Sequence, residues 1–342
     1  MENHKFFMQR CLELAQKGFP NNLSNPLVGS IIVHENNIIG EGYHKKYGDN
    51  HAEVNAINSV NEKSLLHNST IYINLEPCTH YGKTPPCSDL IIKHKIPIVV
   101  IGCIDPFSKV SGKGIEKLKK EGIKVITGIL NEESRNLNKR FITFHEKKRP
   151  YIILKWAKSN DGFIAPNNQI KPFWMTTKSS KKLVHQWRSE EHAILIGRIT
   201  AQKDNPLLNV RDVKGRHPIR IIIDKNLTLS NNLKLFNDNQ NTIILNEIKS
   251  EKINNYKYLK ICFKKLIKNC LNELYKENIQ SIIVEGGKIT LQSFIDTKMW
   301  DEARIFTTKS NLITGIKSPE IYGQTIKKEI IETDDVEILI NK

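Results

Sequence analysis

Leu75-Glu76-Pro77-Cys78-Thr79-His80-Tyr81-Gly82-Lys83-Thr84-Pro85-Pro86-Cys87, read with His51-Ala52-Glu53 upstream of it, decides the fold of the first half of this chain. His51, Cys78 and Cys87 offer one imidazole and two thiols, a set that holds zinc and leaves the fourth tetrahedral position open to water. The pKa of such a water falls to about 7, so hydroxide is at hand at neutral pH. Glu53 adds a carboxylate that is not a ligand, two residues past the histidine, where it can take that proton and hand it to a departing amine. A zinc ion that only braces a fold has no use for such a group.

His-x-Glu followed by Pro-Cys and a second cysteine is the signature of zinc-dependent nucleobase deaminases, although their second half is usually Cys-x-x-Cys. Here residues 79–86 stand between the cysteines. Working outward, residues 3–18 read as an amphipathic helix with Phe6, Phe7, Cys11, Leu14 and Ala15 on one stripe and Gly18 as its cap. Residues 25–29 lead into a strand at 30–34, and Asn36-Asn37 turns into a second at 38–42. The run from His51 to Ile57 opens a helix whose first turn aims His51 and Glu53 into one pocket. A strand at 70–75 delivers Cys78 at its carboxyl end, and Cys87 precedes a helix at 88–95. A strand at 97–102, a helix at 113–121 and a strand at 124–128 continue the alternation, which predicts an α/β/α sandwich.

Length and composition bound the rest. A chain of 342 residues is long for one core and predicts two domains. With 39% apolar and 26% charged residues it has the balance of an ordinary folded protein. No apolar run is long enough for a signal peptide or a membrane span, so a cytoplasmic protein with no membrane partner is expected. Six cysteines over this length make no disulfide framework. Cys11, Cys103, Cys262 and Cys270 read as buried small hydrophobes. The net charge of +16 admits nucleic acid or phosphorylated ligands as partners. The lysines are nevertheless spread along the chain with many Asn and Ile, the pattern of an AT-rich genome. Aromatics, at 7%, nowhere interleave with basic residues as a stacking platform requires. Phosphate-bearing small ligands are therefore expected, and no nucleic acid.

The pattern breaks at Glu146-Lys147-Lys148-Arg149-Pro150, which reads as a linker at 147–150 between domains at 1–146 and 151–342. Beyond it, strands are predicted at 151–157, 192–197, 218–224, 242–246 and 281–285, with helices at 179–190 and 264–278. Ser281 to Gly287 is a buried strand ending in Gly286-Gly287 before a helix, a shape that lets a ligand approach the backbone closely and favours phosphate at the helix amino end. A plain tight turn would have the same sequence. Gly-x-Gly-x-x-Gly spacing is missing, which argues against a Rossmann domain.

The two halves together resemble the bacterial bifunctional riboflavin biosynthesis deaminase–reductase family. In the first half the resemblance rests on His51-Ala52-Glu53-Val54 and the long run from Leu75 to Cys87. In the second it rests on Leu154-Lys155-x-Ala157-x-Ser159-x-Asp161-Gly162, Trp174-Met175-Thr176, Arg188, Asp204-Asn205-Pro206-x-Leu208-x-x-Arg211 and Glu285-Gly286-Gly287. It implies a cytidine-deaminase-like domain followed by a dihydrofolate-reductase-like one, with one zinc ion per chain and NADPH as cofactors, and a homo-oligomer. It also implies two reactions: hydrolytic deamination of 2,5-diamino-6-ribosylamino-4(3H)-pyrimidinone 5′-phosphate, then NADPH reduction of its ribosyl chain to ribityl.

By the same resemblance Asn25, His80 and Lys83 contact the pyrimidine substrate and its phosphate, with His44 a weaker candidate. Ala157, Trp174, Thr200, Asp204 and Gly287 face NADPH, while Lys155, Arg188, Leu208, Arg211 and Glu285 face the reductase substrate. Arg188 and Arg211 suit phosphate because guanidinium forks match its oxygens, and Glu285 is placed at the sugar end. Ordinary structural readings stand beside these: a solvated loop lysine for Lys83, a core aromatic for Trp174, a snorkelling side chain for Lys155 and a helix-end charge for Arg188. One departure from the family pattern is Pro172, which offers no donor two positions before the tryptophan.

Overall fold

The computed structural model of the chain describes residues 2–22, 25–79, 81, 85–107, 110–167 and 173–341, so His80, Lys83 and Pro172 lie outside the described residues. The chain forms two compact units, Met1–Lys147 and Lys148–Lys342.

The first unit runs α1 (Glu2–Gln16), β1 (Gly29–His34), β2 (Asn37–Tyr43), α2 (Ala52–Ser59), β3 (Thr70–Leu75), α3 (Cys87–Lys93), β4 (Ile98–Cys103), α4 (Lys113–Lys120), β5 (Lys124–Thr127), α5 (Asn131–Leu137) and α6 (Lys139–Lys147). Its sheet has the order β2-β1-β3-β4-β5, antiparallel through β2, β1 and β3 and parallel from β3 to β5. Period-2 alternation sends Ile32, Ile71, Ile73, Val99 and Ile101 to a core shared with α2, α3 and α4. Ile31, Tyr72 and Val100 go to the opposite face, against Phe7, Met8, Cys11 and Leu14 of α1. Phe6, expected on that stripe, is 68% exposed, because the buried arc of α1 is centred on Met8 and Cys11. The tight turn joining β1 to β2 is Glu35-Asn36, both at positive φ, one residue earlier than the sequence suggests.

The second unit runs β6 (Tyr151–Lys158), β7 (Phe163–Ala165), α7 (Lys178–Glu190), β8 (Ala193–Gly197), α8 (Arg198–Asp204), β9 (Ile219–Ile223), β10 (Thr242–Asn246), β11 (Glu251–Ile253), β12 (Tyr256–Lys260), α9 (Leu266–Lys276), β13 (Ser281–Val284), α10 (Lys288–Asp296), β14 (Glu302–Thr307), β15 (Ile316–Lys317), β16 (Gln324–Ile331) and β17 (Asp334–Ile340). Ten strands form one sheet ordered β11-β12-β10-β9-β8-β13-β6-β14-β17-β16. From β12 to β14 the strands are parallel; β11, β17 and β16 pair antiparallel. Ile152, Leu154, Leu195 and Ile221 face Leu271, Leu274 and Phe294 of α9 and α10, whereas Ile153, Ile194 and Ile222 face Val184 and Trp187 of α7.

The five strands expected from sequence are present as β6, β8, β9, β10 and β13, but β7, β11, β12, β14, β15, β16 and β17 were missed. β16 is exposed along most of its length and carries Lys327-Lys328-Glu329 at its centre, and β17 opens on Asp334-Asp335, so neither shows a long apolar run. Cys262, expected to be buried, is exposed between β12 and α9. Arg149, in the segment read as a linker, forms a bidentate pair with Asp301 at 2.5 and 2.8 Å.

Candidate active sites

In the first unit three elements bring the zinc-type donors together. His51 is the extended residue that starts α2, its carbonyl accepting the first helical bond from Asn55. Cys78 follows the end of β3, and Cys87 is the first residue of α3. The ligand atoms of His51, Cys78 and Cys87 all lie within 4.8 Å of one another. His51 Nδ1 is 3.6 Å from Cys78 Sγ and 3.3 Å from Cys87 Sγ. Zinc bonds of about 2.0 Å to nitrogen and 2.3 Å to sulfur, meeting at the tetrahedral angle, put N and S about 3.5 Å apart. The residues present therefore fit a tetrahedral ion without rearrangement.

Charge at this centre follows from contacts. Hydrogen bonding with Cys87 first, then with His51, holds the Cys78 thiol down to about 4. The Cys87 amide also donates to Cys78 Sγ at 3.3 Å. Cys87 is pushed up, since it shares that hydrogen bond with Cys78 and is buried. Glu53, in the first turn of α2, is 3% exposed. Burial pushes its carboxyl up and the His51 imidazole pulls it down, the first effect winning. A carboxyl kept above its ordinary range is suited to carrying a proton.

Two buried supports were not found from sequence. Glu76, immediately before Pro77-Cys78, accepts backbone N–H groups from Asp105 (3.3 Å), Gly112 (3.0 Å), Gly114 (2.9 Å) and Ile115 (3.3 Å). It ties the entry of α4 to the strand end that carries Cys78. Its place beside the cysteine in the motif was the available signal. Asp105 is held at about 7, burial outweighing the hydrogen bond it accepts from the Phe107 amide. Asn25, foreseen as a ring contact, lies against His44. The Asn50 carbonyl, 3.0 Å from His44 Nδ1, can only accept, so Nδ1 carries the proton and Nε2 accepts from Asn25 Nδ2 at 2.9 Å. The His44 ring packs edge-on at 5.3 Å against that of His51.

In the second unit Lys155 and Ala157 lie in the carboxyl-terminal half of β6, Thr200 in α8 directly after β8, and Glu285 and Gly287 directly after β13, the side of an open α/β sheet where ligands bind. The Leu154–Val284 register sets Lys155 beside Glu285. Arg188 from α7 grips Glu285 in a fork at 2.8 and 2.7 Å, with both side chains buried. Arg188 and Glu285, expected at the phosphate and at the sugar end, are thus paired with each other. Burial pushes Glu285 up, but Arg188 outweighs it and holds the carboxyl down to about 2. Lys155 does not snorkel; its Nζ lies 5.5 Å from the Phe306 ring centre, and burial lowers its pKa.

Trp174 is 61% exposed, so it is no core aromatic, and Lys181 lies 5.2 Å over its ring. A Cβ on Gly286 would stand 2.4 Å from the Ile196 backbone, and Gly287 has φ +49 with Thr200 Oγ1 3.0 Å from where its Cβ would be. Gly286 is thus required by its packing against β8 and Gly287 by its positive φ, and the pair leads directly into the amino end of α10. Ala157 is the penultimate residue of β6, Asp204 ends α8, and Leu208 is buried at φ +51 in the loop that carries Arg211.

Three tetrahedral-type donors with a buried, non-ligating carboxylate define a zinc-dependent deaminase, here in one chain with a second α/β unit that carries a glycine pair between a parallel strand and a helix. Residues 1–103 match the cytidine and deoxycytidylate deaminase zinc-binding region, and residues 150–326 the RibD C-terminal domain. The chain is 38% identical to the riboflavin biosynthesis protein RibD of Aquifex aeolicus, over 96% of this chain and 93% of that protein. It is 35% identical to the RibD of Bacillus amyloliquefaciens, over 93% and 87%. A Thermotoga maritima structure described as a diaminohydroxyphosphoribosylaminopyrimidine deaminase/5-amino-6-(5-phosphoribosylamino)uracil reductase is similar at TM-score 0.88 and 35% identity, covering 100% of this chain and 99% of that one. Acinetobacter baumannii RibD is similar at TM-score 0.91 and 28% identity, with the same coverage.

The chain belongs to the RibD family of bifunctional riboflavin biosynthesis enzymes. It is a deaminase and a reductase, a hydrolase and an oxidoreductase in one polypeptide, with zinc and NADPH as cofactors. Its two halves are the cytidine-deaminase-like and dihydrofolate-reductase-like folds expected from sequence. Among the described residues no helix is long and apolar enough to cross a membrane.

Proposed function

We propose that residues 1–146 deaminate 2,5-diamino-6-ribosylamino-4(3H)-pyrimidinone 5′-phosphate and residues 151–342 reduce the ribosyl chain of the product to ribityl at the expense of NADPH. The observation that carries the first assignment is the His51–Cys78–Cys87 triangle with buried Glu53 beside it. His51, Cys78 and Cys87 hold the zinc, which supplies Lewis acidity that lowers the pKa of water to about 7. Glu53 takes the proton from the attacking water and delivers it to the leaving ammonia. Asn25, oriented by His44, offers its amide oxygen to the pyrimidine ring, and His80 and Lys83 in the intercysteine loop receive the substrate and its phosphate.

In the reductase half, Ala157, Trp174, Thr200, Asp204 and Gly287 bind NADPH, Trp174 through its exposed ring. Lys155, Leu208 and the Arg188–Glu285 pair form the wall met by the sugar chain. Arg211, 37% exposed at its side chain and paired with no buried carboxylate, is the residue that meets the phosphate. The protein works in the cytoplasm as a homo-oligomer, without nucleic acid or membrane partners. The edge strand β16, with Ile326 and Ile330 exposed, supports self-association.

The test is NADPH oxidation, followed optically, when purified protein is given the phosphorylated diaminopyrimidine, together with ammonia release and zinc content. Both activities should be present, with about one zinc per chain. Ammonia release without NADPH consumption would sink the assignment of the second half. A sedimentation profile of monomers only would sink the oligomer.

A further inference from the structure

The loop after α8 is held in an unusual way. Over five successive residues, each has one backbone group engaged by a side chain from elsewhere in the second unit. The Leu207 carbonyl accepts from Arg220 Nη1 (3.4 Å), Leu208 from Gln240 Nε2 (3.3 Å) and Asn209 from Arg188 Nη1 (3.4 Å). The Val210 amide donates to His217 Nδ1 (3.1 Å) and the Arg211 amide to His185 Nδ1 (3.3 Å). The segment has neither helix nor ladder to fix it, so its course, and with it the direction of Arg211, depends on these side chains.

His185 stands out among them. It is 1% exposed and sits on one stripe of α7 with Lys181 and Arg188, at i, i+4 and i+7. An N–H that donates to Nδ1 requires that nitrogen to be bare, so in the neutral ring the proton lies on Nε2. That Nε2 is 3.4 Å from Asp212 Oδ2. Lys181 Nζ reaches the same oxygen at 3.5 Å, and Arg211 Nε lies 3.9 Å from the other. Arg188 and Glu285 complete the charged surroundings of the ring. One imidazole thus clamps the backbone of Arg211 with one nitrogen and the side chain of the next residue with the other.

We propose that His185 is a positioning residue of the reductase site, whose bare Nδ1 fixes the Arg211 backbone and so sets how strongly the site prefers a phosphorylated substrate. The inference rests on Arg211 being the phosphate ligand. His185 touches neither cofactor nor reacting atoms; it acts through the loop. The bond from the Arg211 amide to Nδ1 is part-buried, so removing its acceptor costs that bond and lets the loop move.

The test compares His185→Asn, whose amide oxygen can stand where Nδ1 stands, with His185→Gln, whose amide reaches the Nε2 position only. Full-length, zinc-loaded protein is assayed by NADPH oxidation on 5-amino-6-(5-phosphoribosylamino)uracil and on its dephosphorylated riboside. His185→Gln should raise KM for the phosphorylated substrate about tenfold, the size of one lost hydrogen-bond set. Its kcat, its KM for NADPH and its KM for the riboside should stay unchanged, and His185→Asn should recover the phosphate preference. Equal effects of the two variants, or a KM rise shared by the riboside, would mean an ordinary packing role and overturn the proposal. Arg211→Ala separates the underlying reading: if it keeps the preference for phosphate, the phosphate assignment and the positioning role both fall. If it loses the preference while His185→Gln keeps it, only the positioning role falls. In the unaltered protein, long-range proton–nitrogen correlation should find Nδ1 unprotonated at neutral pH. A proton on Nδ1 would likewise overturn the proposal.

Discussion

At the scale of single residues, the chemistry divides between groups that act and groups that are held. Glu53 acts. Glu53→Gln keeps the volume and leaves His51, Cys78 and Cys87 untouched, so zinc content by metal analysis should stay near one per chain. Ammonia release should fall by about a hundred- to ten-thousandfold, the range of a lost general acid–base; an unchanged rate in metal-replete protein would remove Glu53 from the mechanism. Arg188 is held. Arg188→Ala strands Glu285 as a buried, unpaired carboxylate, a loss of about 3–5 kcal/mol in a urea titration of the reductase unit. Replacing Arg188 and Glu285 together by apolar residues should recover much of that stability. Sequence spacing found both residues but not their partnership, since 97 positions separate them in the chain.

At the scale of elements, both sites depend on irregular segments fixed by side chains. Glu76 holds Asp105, Gly112, Gly114 and Ile115 by their backbone N–H groups, and it sits two residues from Cys78. Glu76→Gln removes acceptor capacity but little volume, and it should weaken zinc retention against a chelator by about 10–100-fold, as loss of an outer support typically does. An unaltered chelation curve would mean that the loop holds its shape without the carboxylate. The His185 clamp predicts a pH effect. Burial, and then Arg188 and Arg211, lower its pKa from 6.5 to about 4. The unfolded chain then binds the extra proton between those values, so stability rises with pH. The contribution of His185 is full above 6.5 and is lost as pH falls through about 4. Urea midpoints measured from pH 7 to 4 should fall less steeply for His185→Asn than for the unaltered protein. Helix α7 itself was legible from its apolar pattern. What its polar stripe of Lys181, His185 and Arg188 faces was not, because the facing loop carries no periodic signal.

At the scale of the whole molecule, the two compact units predict separable activities. A chain ending at Lys147 should still release ammonia and bind zinc while losing all NADPH oxidation, and loss of both activities in soluble truncated protein would show that neither unit works alone. The amino-acid sequence by itself pointed to the zinc donors, to Glu53, to a two-part division and to the apolar strands at the centre of both sheets. Those features are written in local terms: fixed spacing between ligands, alternation of period two, continuous apolar runs and a charged break. Only the tertiary structure decided the rest. It added β14, β17 and the exposed edge strand β16 to a ten-stranded sheet: β14 and β17 bury Glu302, Arg304 and Asp334 among their apolar residues, and a charge that the fold pairs and buries is not distinguishable in sequence from one left in water. It paired Arg188 with Glu285, and it set Arg211 in a loop held one residue at a time by distant side chains. A charge pair or a backbone clamp is a matter of distance across the fold, and spacing along the chain does not encode that distance.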